Sequence, residues 1–121
     1  LHGQTRGGFI TCCCARFDPD GTVAIASAGH LAPYADGEEI AVEGLPLGLV
    51  AAADYEEKSI QVQAMTFLSD GVVEAENSNR ELFGFDRTRD ISTQPAQAIA
   101  EAARAWGQTD DITVVTVRRK P

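Results

Sequence analysis

The chain has 121 residues, enough for one compact domain with a real core, and its 44% apolar and 23% charged content is ordinary for a soluble globular protein. A formal net charge of −8 argues against nucleic acid as the main partner, because phosphate binding needs a basic face. The charge suits a cation site, a basic protein partner or plain solubility. No apolar run approaches the length of a membrane span, and Leu1-His2-Gly3-Gln4-Thr5-Arg6 lacks the basic-then-apolar order of a signal peptide. No membrane contact by this segment and a cytoplasmic location are therefore expected. Leu1 is not a start Met, so the chain is expected to be a piece of something longer.

Residues 9–17 read as a β-strand, and Asp18-Pro19-Asp20-Gly21 supplies turn chemistry before a second strand at 23–28. The pair should form a hairpin. Cys12, Cys13 and Cys14 are consecutive on the first strand and point to alternate faces. That spacing makes neither a metal knuckle nor an ordinary disulfide, so they read as small, buried or half-buried hydrophobes. Neither histidine has a second His or a Cys at ligand spacing, which argues against zinc. Asp36-Gly37 marks a turn between short strands at 32–35 and 39–42. Residues 44–49 look like a loop stiffened by Pro46 and made permissive by glycine.

Residues 55–62 alternate and read as a strand with one wet face. Residues 65–69 form a short apolar strand that should sit centrally and runs straight into Asp70-Gly71. A helical turn is expected at 72–76, a loop at 77–79 and a short helix at 85–91. Residues 94–106 are the clearest helix, with Thr93 as N-cap, Pro95 in the first turn and Gly107 just past the end. Ile99, Ala102, Ala103 and Trp106 form its apolar stripe. Trp106 reads as a core anchor. A last strand at 112–117 precedes a solvated basic tail, Arg118-Arg119-Lys120. The sum is an α+β chain whose short turns favour antiparallel pairing.

Two acidic turns end strand-like runs, Ser69-Asp70-Gly71 and Thr109-Asp110-Asp111. If the strands beside them are antiparallel neighbours, Asp70 and Asp110 share one sheet edge. Two carboxylates held that close repel unless a cation neutralises them, and Mg²⁺ or Mn²⁺ suits an oxygen-only site. Ser69 and Thr109 are placed to hydrogen-bond the carboxylates, and Gly71 to let backbone pass close to the ions. Each turn alone reads equally as a solvated Asp turn.

The motifs in order carry a resemblance. Gly7-Gly8-Phe9, Ala28-Gly29-His30-Leu31-Ala32-Pro33 and Leu45-Pro46-Leu47-Gly48-Leu49 come first. Ser69-Asp70-Gly71-Val72-Val73-Glu74-Ala75, Glu81-Leu82-Phe83-Gly84 and Gly107-Gln108-Thr109-Asp110-Asp111-Ile112-Thr113 follow. From about residue 7 to 117 this order resembles the PPM metal-dependent protein phosphatases, in the bacterial branch that includes SpoIIE and RsbU. The resemblance implies an αββα sandwich with antiparallel sheets and a centre of two Mn²⁺ or Mg²⁺ ions. It implies hydrolysis of phosphoserine or phosphothreonine on a protein by metal-activated water. The implied substrate is a phosphorylated STAS-type anti-sigma-factor antagonist. Asp70 and Asp110 match the family's metal-binding residues, with Gly71 and Asp111 beside them. His30 belongs to a motif of the branch and has no assigned role; the bland reading is a hydrogen-bonded structural residue.

One part of the family pattern is missing. The first metal-binding motif, an Asp-x-x-Gly-x-Gly turn, is absent from this sequence. Residues 1–121 are therefore expected to be the C-terminal portion of one phosphatase domain, inactive by itself. Such a piece should form a homodimer or associate with the missing N-terminal segment. The alternative is a non-catalytic regulatory or partner-binding module with a degenerate phosphatase fold.

Overall fold

The computed structural model describes residues 10–48 and 54–120, so Gly7-Gly8-Phe9 and Leu49 lie outside the described residues. The chain divides into two compact units, residues 1–32 with 41–62 and residues 33–40 with 63–121. Each unit holds one antiparallel sheet, and the whole is mixed α/β, in agreement with the expected fold class.

The first unit contains strands β1 (Cys12–Phe17), β2 (Thr22–Ala28) and β5 (Glu57–Gln61), in the order β1-β2-β5. The β1–β2 hairpin closes where expected: Gly21 N donates to Asp18 O (3.1 Å), Thr22 N to Asp20 Oδ1 (2.8 Å), and Gly21 has φ 93°. Central β2 buries Val23, Ala24, Ile25 and Ala28, so its run is apolar on both faces. Edge strand β5 exposes Glu57, Ser59 and Gln61 and half-buries Lys58 and Ile60, the predicted single wet face. The three cysteines are free thiols, with Cys12 and Cys13 half-buried and Cys14 exposed. Cys12 and Cys14 share a face with their sulfurs 3.6 Å apart, and this contact, with burial second, pushes the Cys12 thiol up.

Two glycines lock the 44–48 loop to the end of β2. At Gly29 (φ +70°) a Cβ would meet Pro46 Cγ at 2.6 Å, and at Gly44 it would overlap the Ser27 carbonyl oxygen. The Ala-Gly-His and Leu-Pro-Leu-Gly motifs are thus two sides of one close approach.

The second unit contains β3 (Tyr34–Ala35), β4 (Glu38–Glu39), β6 (Ala64–Leu68) and β7 (Val114–Arg118), in the order β4-β3-β6-β7. Strand β6 is central, as its apolar run predicts. The turn of the β3–β4 hairpin falls at Asp36 (φ 49°) and Gly37 (φ 90°), as expected and both left-handed, while the two strands are shorter at their outer ends than the 32–35 and 39–42 expected. Helices α1 (Asp70–Val73), α2 (Gly84–Ile91) and α3 (Ala96–Gly107) lie between β6 and β7 in sequence. The helical turn expected at 72–76 begins at Asp70 instead.

Helix α3 departs from the sequence expectation at its start. Pro95, not Thr93, occupies the cap position with ψ 151°, and its carbonyl accepts the first bond, from Ile99 N at 3.2 Å. Proline serves there because a cap needs no intrahelical N–H. Gly107 ends the helix with φ 149°. Ile99 and Ala103 are fully buried, one helical turn apart, with Glu101 and Arg104 on the exposed face. Buried Met65, Leu68, Val72, Val73, Ala75 and Phe83 complete this unit's apolar interior. Tyr34 is 2% exposed; burial first, and then the Glu39 carboxylate, push its phenol above the ordinary value of 10.0.

Ile99→Ala removes a fully buried side chain and leaves a void. It should lower unfolding free energy by about 2–5 kcal/mol, read as a fall in the urea midpoint with unchanged slope.

Candidate metal centre

Strands β6 and β7 pair antiparallel from Ala64↔Arg118 to Leu68↔Val114, so the end of one lies beside the start of the other. The alignment continues past the last rung. Ser69 N donates to Thr113 O (2.9 Å), and Thr113 N donates to Ser69 Oγ (2.9 Å). Ser69 Oγ in turn donates to Asp111 O at 3.4 Å. Farther out, Thr109 Oγ1 donates to Glu74 O (3.4 Å) and Glu76 N to Gly107 O (2.9 Å). Residues 69–76 and 107–113 therefore run side by side, and the two acidic turns are brought together at one sheet edge.

Two glycines make this approach feasible. A Cβ on Gly71 would overlap the Asp111 carbonyl oxygen, and one on Gly107 would overlap the Glu76 carbonyl oxygen. Gly71 thus admits the neighbouring backbone, the close passage of main chain that the sequence suggested at this position. The roles expected of Ser69 and Thr109 also need correction. Neither hydroxyl bonds a carboxylate; both bond backbone groups left over where the ladder ends. Glu74 contributes its carbonyl oxygen, while its residue is exposed.

Asp70, Asp110 and Asp111 are all exposed. Asp70 opens α1, directly after Ser69. Asp110 Oδ1 accepts the Asp111 amide at 2.7 Å, and its carbonyl accepts Gln108 Nε2 at 3.1 Å, so the turn is held by its own residues. Among the described residues, the Asp70 carboxylate has no hydrogen-bond donor on it. The donor chemistry therefore suits Mg²⁺ or Mn²⁺: hard, exposed oxygens on fixed backbone. The number falls short. No group of three or more His, Cys, Asp or Glu able to hold an ion exists among the described residues. These residues fit as two ligands of a larger set.

His30 belongs to the first unit. Its N–H donates to Ser27 Oγ at 3.3 Å, its carbonyl accepts from Ser27 Oγ at 3.4 Å, and Nδ1 lies 3.4 Å from Thr11 Oγ1. Trp106 anchors the loop before α2. Its Nε1 donates to Glu81 O (2.8 Å), its ring meets Phe83 edge-on at 5.9 Å, and the Arg87 guanidinium stacks 4.2 Å from its centroid.

A fold of two antiparallel sheets with an acidic edge on the second defines a class before any relative is considered. The family model described as Stage II sporulation protein E (SpoIIE) matches residues 1–120, and the chain belongs to this family. Its fold is similar to the Mn-presoaked phosphatase domain of the cell fate determinant SpoIIE from Bacillus subtilis. That likeness has a TM-score of 0.56 at 22% identity, covering 92% of this chain and 58% of that one. A further structure of the same Bacillus subtilis domain gives a TM-score of 0.54 at 21% identity, over 89% of this chain and 57% of that chain. The chain thus spans less than two thirds of the length of the domain it resembles. A comparison with curated proteins finds no match. No helix among the described residues is long and apolar enough to cross a membrane.

Gly71→Ala should force the 110–113 backbone away from α1, costing about 1–3 kcal/mol of stability as overpacking does. Amide chemical shifts of residues 109–113 should move with it. Retention of the parent shifts would show that the approach tolerates a methyl group.

Proposed function

We propose that this chain is the C-terminal portion of a PPM-type protein phosphatase domain of the SpoIIE/RsbU-like branch. Its reaction is the metal-dependent hydrolysis of phosphoserine or phosphothreonine on a protein. The observation that carries this reading is the clamp between residues 69–76 and 107–113, which sets Asp70 and Asp110 at one sheet edge. In this reading Asp70 and Asp110 hold Mn²⁺ or Mg²⁺, with Asp111 and Gly71 adjacent. The remaining ligands come from an Asp-x-x-Gly-x-Gly turn that this sequence lacks. Bound ions of this kind supply a water of lowered pKa and neutralise phosphoryl charge. The chain's own part is to fix two carboxylates without burying them, so that both stay open to a phosphorylated side chain. The net charge of −8 makes a cation at this edge favourable and a basic stretch on the partner attractive. The partner proposed is a phosphorylated STAS-type regulatory protein, and the setting is the cytoplasm.

Asp70→Ala and Asp110→Ala in the full-length protein should each remove Mn²⁺-dependent release of phosphate from a phosphorylated partner, while urea unfolding stays within about 0.5 kcal/mol of the parent, as exposed positions predict. Undiminished turnover in either variant would sink the assignment. The short ligand set favours a second reading, a partner-binding module without turnover. A full-length protein that binds the phosphorylated partner but never releases phosphate would establish it.

Ile10 and Phe17, at 42% and 43% exposure, sit at or beside edge strand β1. Among the described residues β1 is the outer strand of its sheet, and an outer strand beside apolar side chains invites another strand. The chain alone should therefore sediment as a homodimer or together with the N-terminal segment of its own domain. A monodisperse monomer would contradict that.

A further inference from the structure

Three consecutive cysteines stand on β1, and the phosphatase reading uses none of them. Strand alternation divides them: Cys12 and Cys14 share one face, and Cys13 points to the other. The sulfurs of Cys12 and Cys14 lie 3.6 Å apart. Their partners across the hairpin are Ala28 and Ala26, so no bulky side chain at the paired positions of β2 covers them. Both thiols line an apolar cavity of about 220 Å³, walled otherwise by Ala26, Ser27, Ala28, Leu47 and Tyr55. All of these residues belong to the first unit.

Two thiols this close can form a disulfide or share an ion, and the strand decides between the two. Same-face residues on a strand are separated by about 6.8 Å, at roughly 3.4 Å per residue. A disulfide needs its Cβ atoms within about 4.5 Å of each other. Closing one would pull β1 out of its register with β2, which runs from Cys12↔Ala28 to Phe17↔Val23. The sulfurs lean together without bonding, which is the posture of a chelate. With bonds of about 2.3 Å to a shared ion, sulfurs at this spacing subtend an angle of about 100°. That angle suits a trigonal, pyramidal or tetrahedral centre. The ligand count narrows the choice. No third His, Cys, Asp or Glu joins the pair among the described residues. Structural zinc and iron–sulfur clusters want four protein ligands and do not fit. An ion that two thiolates hold, and that brings its third ligand with it, does fit. Thiolate sulfur selects soft ions, and the apolar walls limit the access of water to the bonds. The spacing that excludes a four-ligand knuckle thus leaves a two-ligand clip.

We propose that Cys12 and Cys14 form a binding site for a soft, three-coordinate ion of the copper(I) or trivalent-arsenic class. On binding, each thiol gives up its proton and forms one bond from sulfur to the ion. Copper(I) stays copper(I), and the two protons pass to solvent. A trivalent arsenic oxide stays trivalent, and its oxygen leaves with the two thiol protons as water. Neither reaction consumes an oxidant or a reductant. The site goes beyond the phosphatase reading and needs no ion at Asp70.

The test uses the reduced chain without oxygen, titrated separately with phenylarsine oxide and with copper(I) supplied from a chromophoric chelator. Each should bind one per chain and protect Cys12 and Cys14 from alkylation, while Cys13 keeps its unliganded rate. Cys14 is exposed, so Cys14→Ser should fold as the parent does. It should weaken binding about a hundredfold or more, because the second thiolate acts intramolecularly. Cys12→Ser should weaken it alike, and Cys13→Ala should leave the affinity unchanged. Excess Mg²⁺ should not compete, since thiolates reject a hard ion, and this separates the site from the acidic edge. Binding of copper(I) alone identifies a metal-ion site, binding of phenylarsine oxide alone an arsenical site, and binding of both the soft class as a whole. Failure of both to bind, or an unchanged affinity in Cys14→Ser, would overturn the proposal.

Discussion

The acidic edge that carries the proposed chemistry depends on the antiparallel pairing of β6 with β7. The pairing itself is ordinary: five rungs, buried Met65 and Leu68 on one strand, half-buried Val114 and Val117 on the other. Its importance lies in how it ends. A ladder that stops leaves backbone donors and acceptors without partners, and burying or stranding them is costly. Here the Ser69 hydroxyl takes one from Thr113 and gives one to Asp111. The Thr109 hydroxyl and the Glu76 amide then extend the contact beyond the sheet. Three helices separate the two segments in sequence, so this junction also closes the second unit's largest chain excursion.

The same strand pair has a polar feature at each end, and their contrast is physical. At one end exposed carboxylates sit on turns flanked by backbone bonds, and the Asp110 carboxylate itself accepts the Asp111 amide. At the other, hydroxyls and guanidinium groups line a partly enclosed cavity, and the one carboxylate present is tied to two amides. Opposite charges at opposite ends of a short rigid ladder keep the two from neutralising each other. The chain belongs to the SpoIIE family, and its fold is similar to that of the Bacillus subtilis SpoIIE phosphatase domain, of which it covers 58%.

Much of this was legible in the residues. Alternation in 55–62 located β5, the largely apolar run of 65–68 located a central strand, and Asp-Gly pairs marked the hairpin turns. Sharing of one sheet edge by Asp70 and Asp110 followed from strand direction on the condition that their strands are neighbours, and the β6–β7 ladder meets that condition. Other features were not legible, for identifiable reasons. Thr93 looked like a helix cap because its residue type suits one, but its carbonyl is taken by Arg118 and the helix begins after Pro95. Ser69 and Thr109 looked like partners for carboxylates because they adjoin them. Backbone groups at the ladder's end compete for the same hydroxyls, and sequence spacing does not reveal where a ladder ends. Thr116 reads as one more polar position in an alternating strand. Its buried hydroxyl is a product of tertiary packing that strand alternation does not show. Arg118, Arg119 and Lys120 are exposed, as the tail reading expects, although Arg118 also closes β7 and donates to Thr93 O.

Gly71 and Gly107 carry a consequence for how such a domain evolves. The two acidic segments are held by main-chain contact, and at both points of closest approach the required side chain is none at all. The Asp110 carboxylate braces only its own turn, through the Asp111 amide. Selection for shape and selection for chemistry therefore fall on different positions, and a lineage relieved of its chemistry can replace Asp70 and Asp110 while the scaffold persists intact. Replacing either glycine would instead disturb the main-chain approach on which the placing of both acidic turns rests.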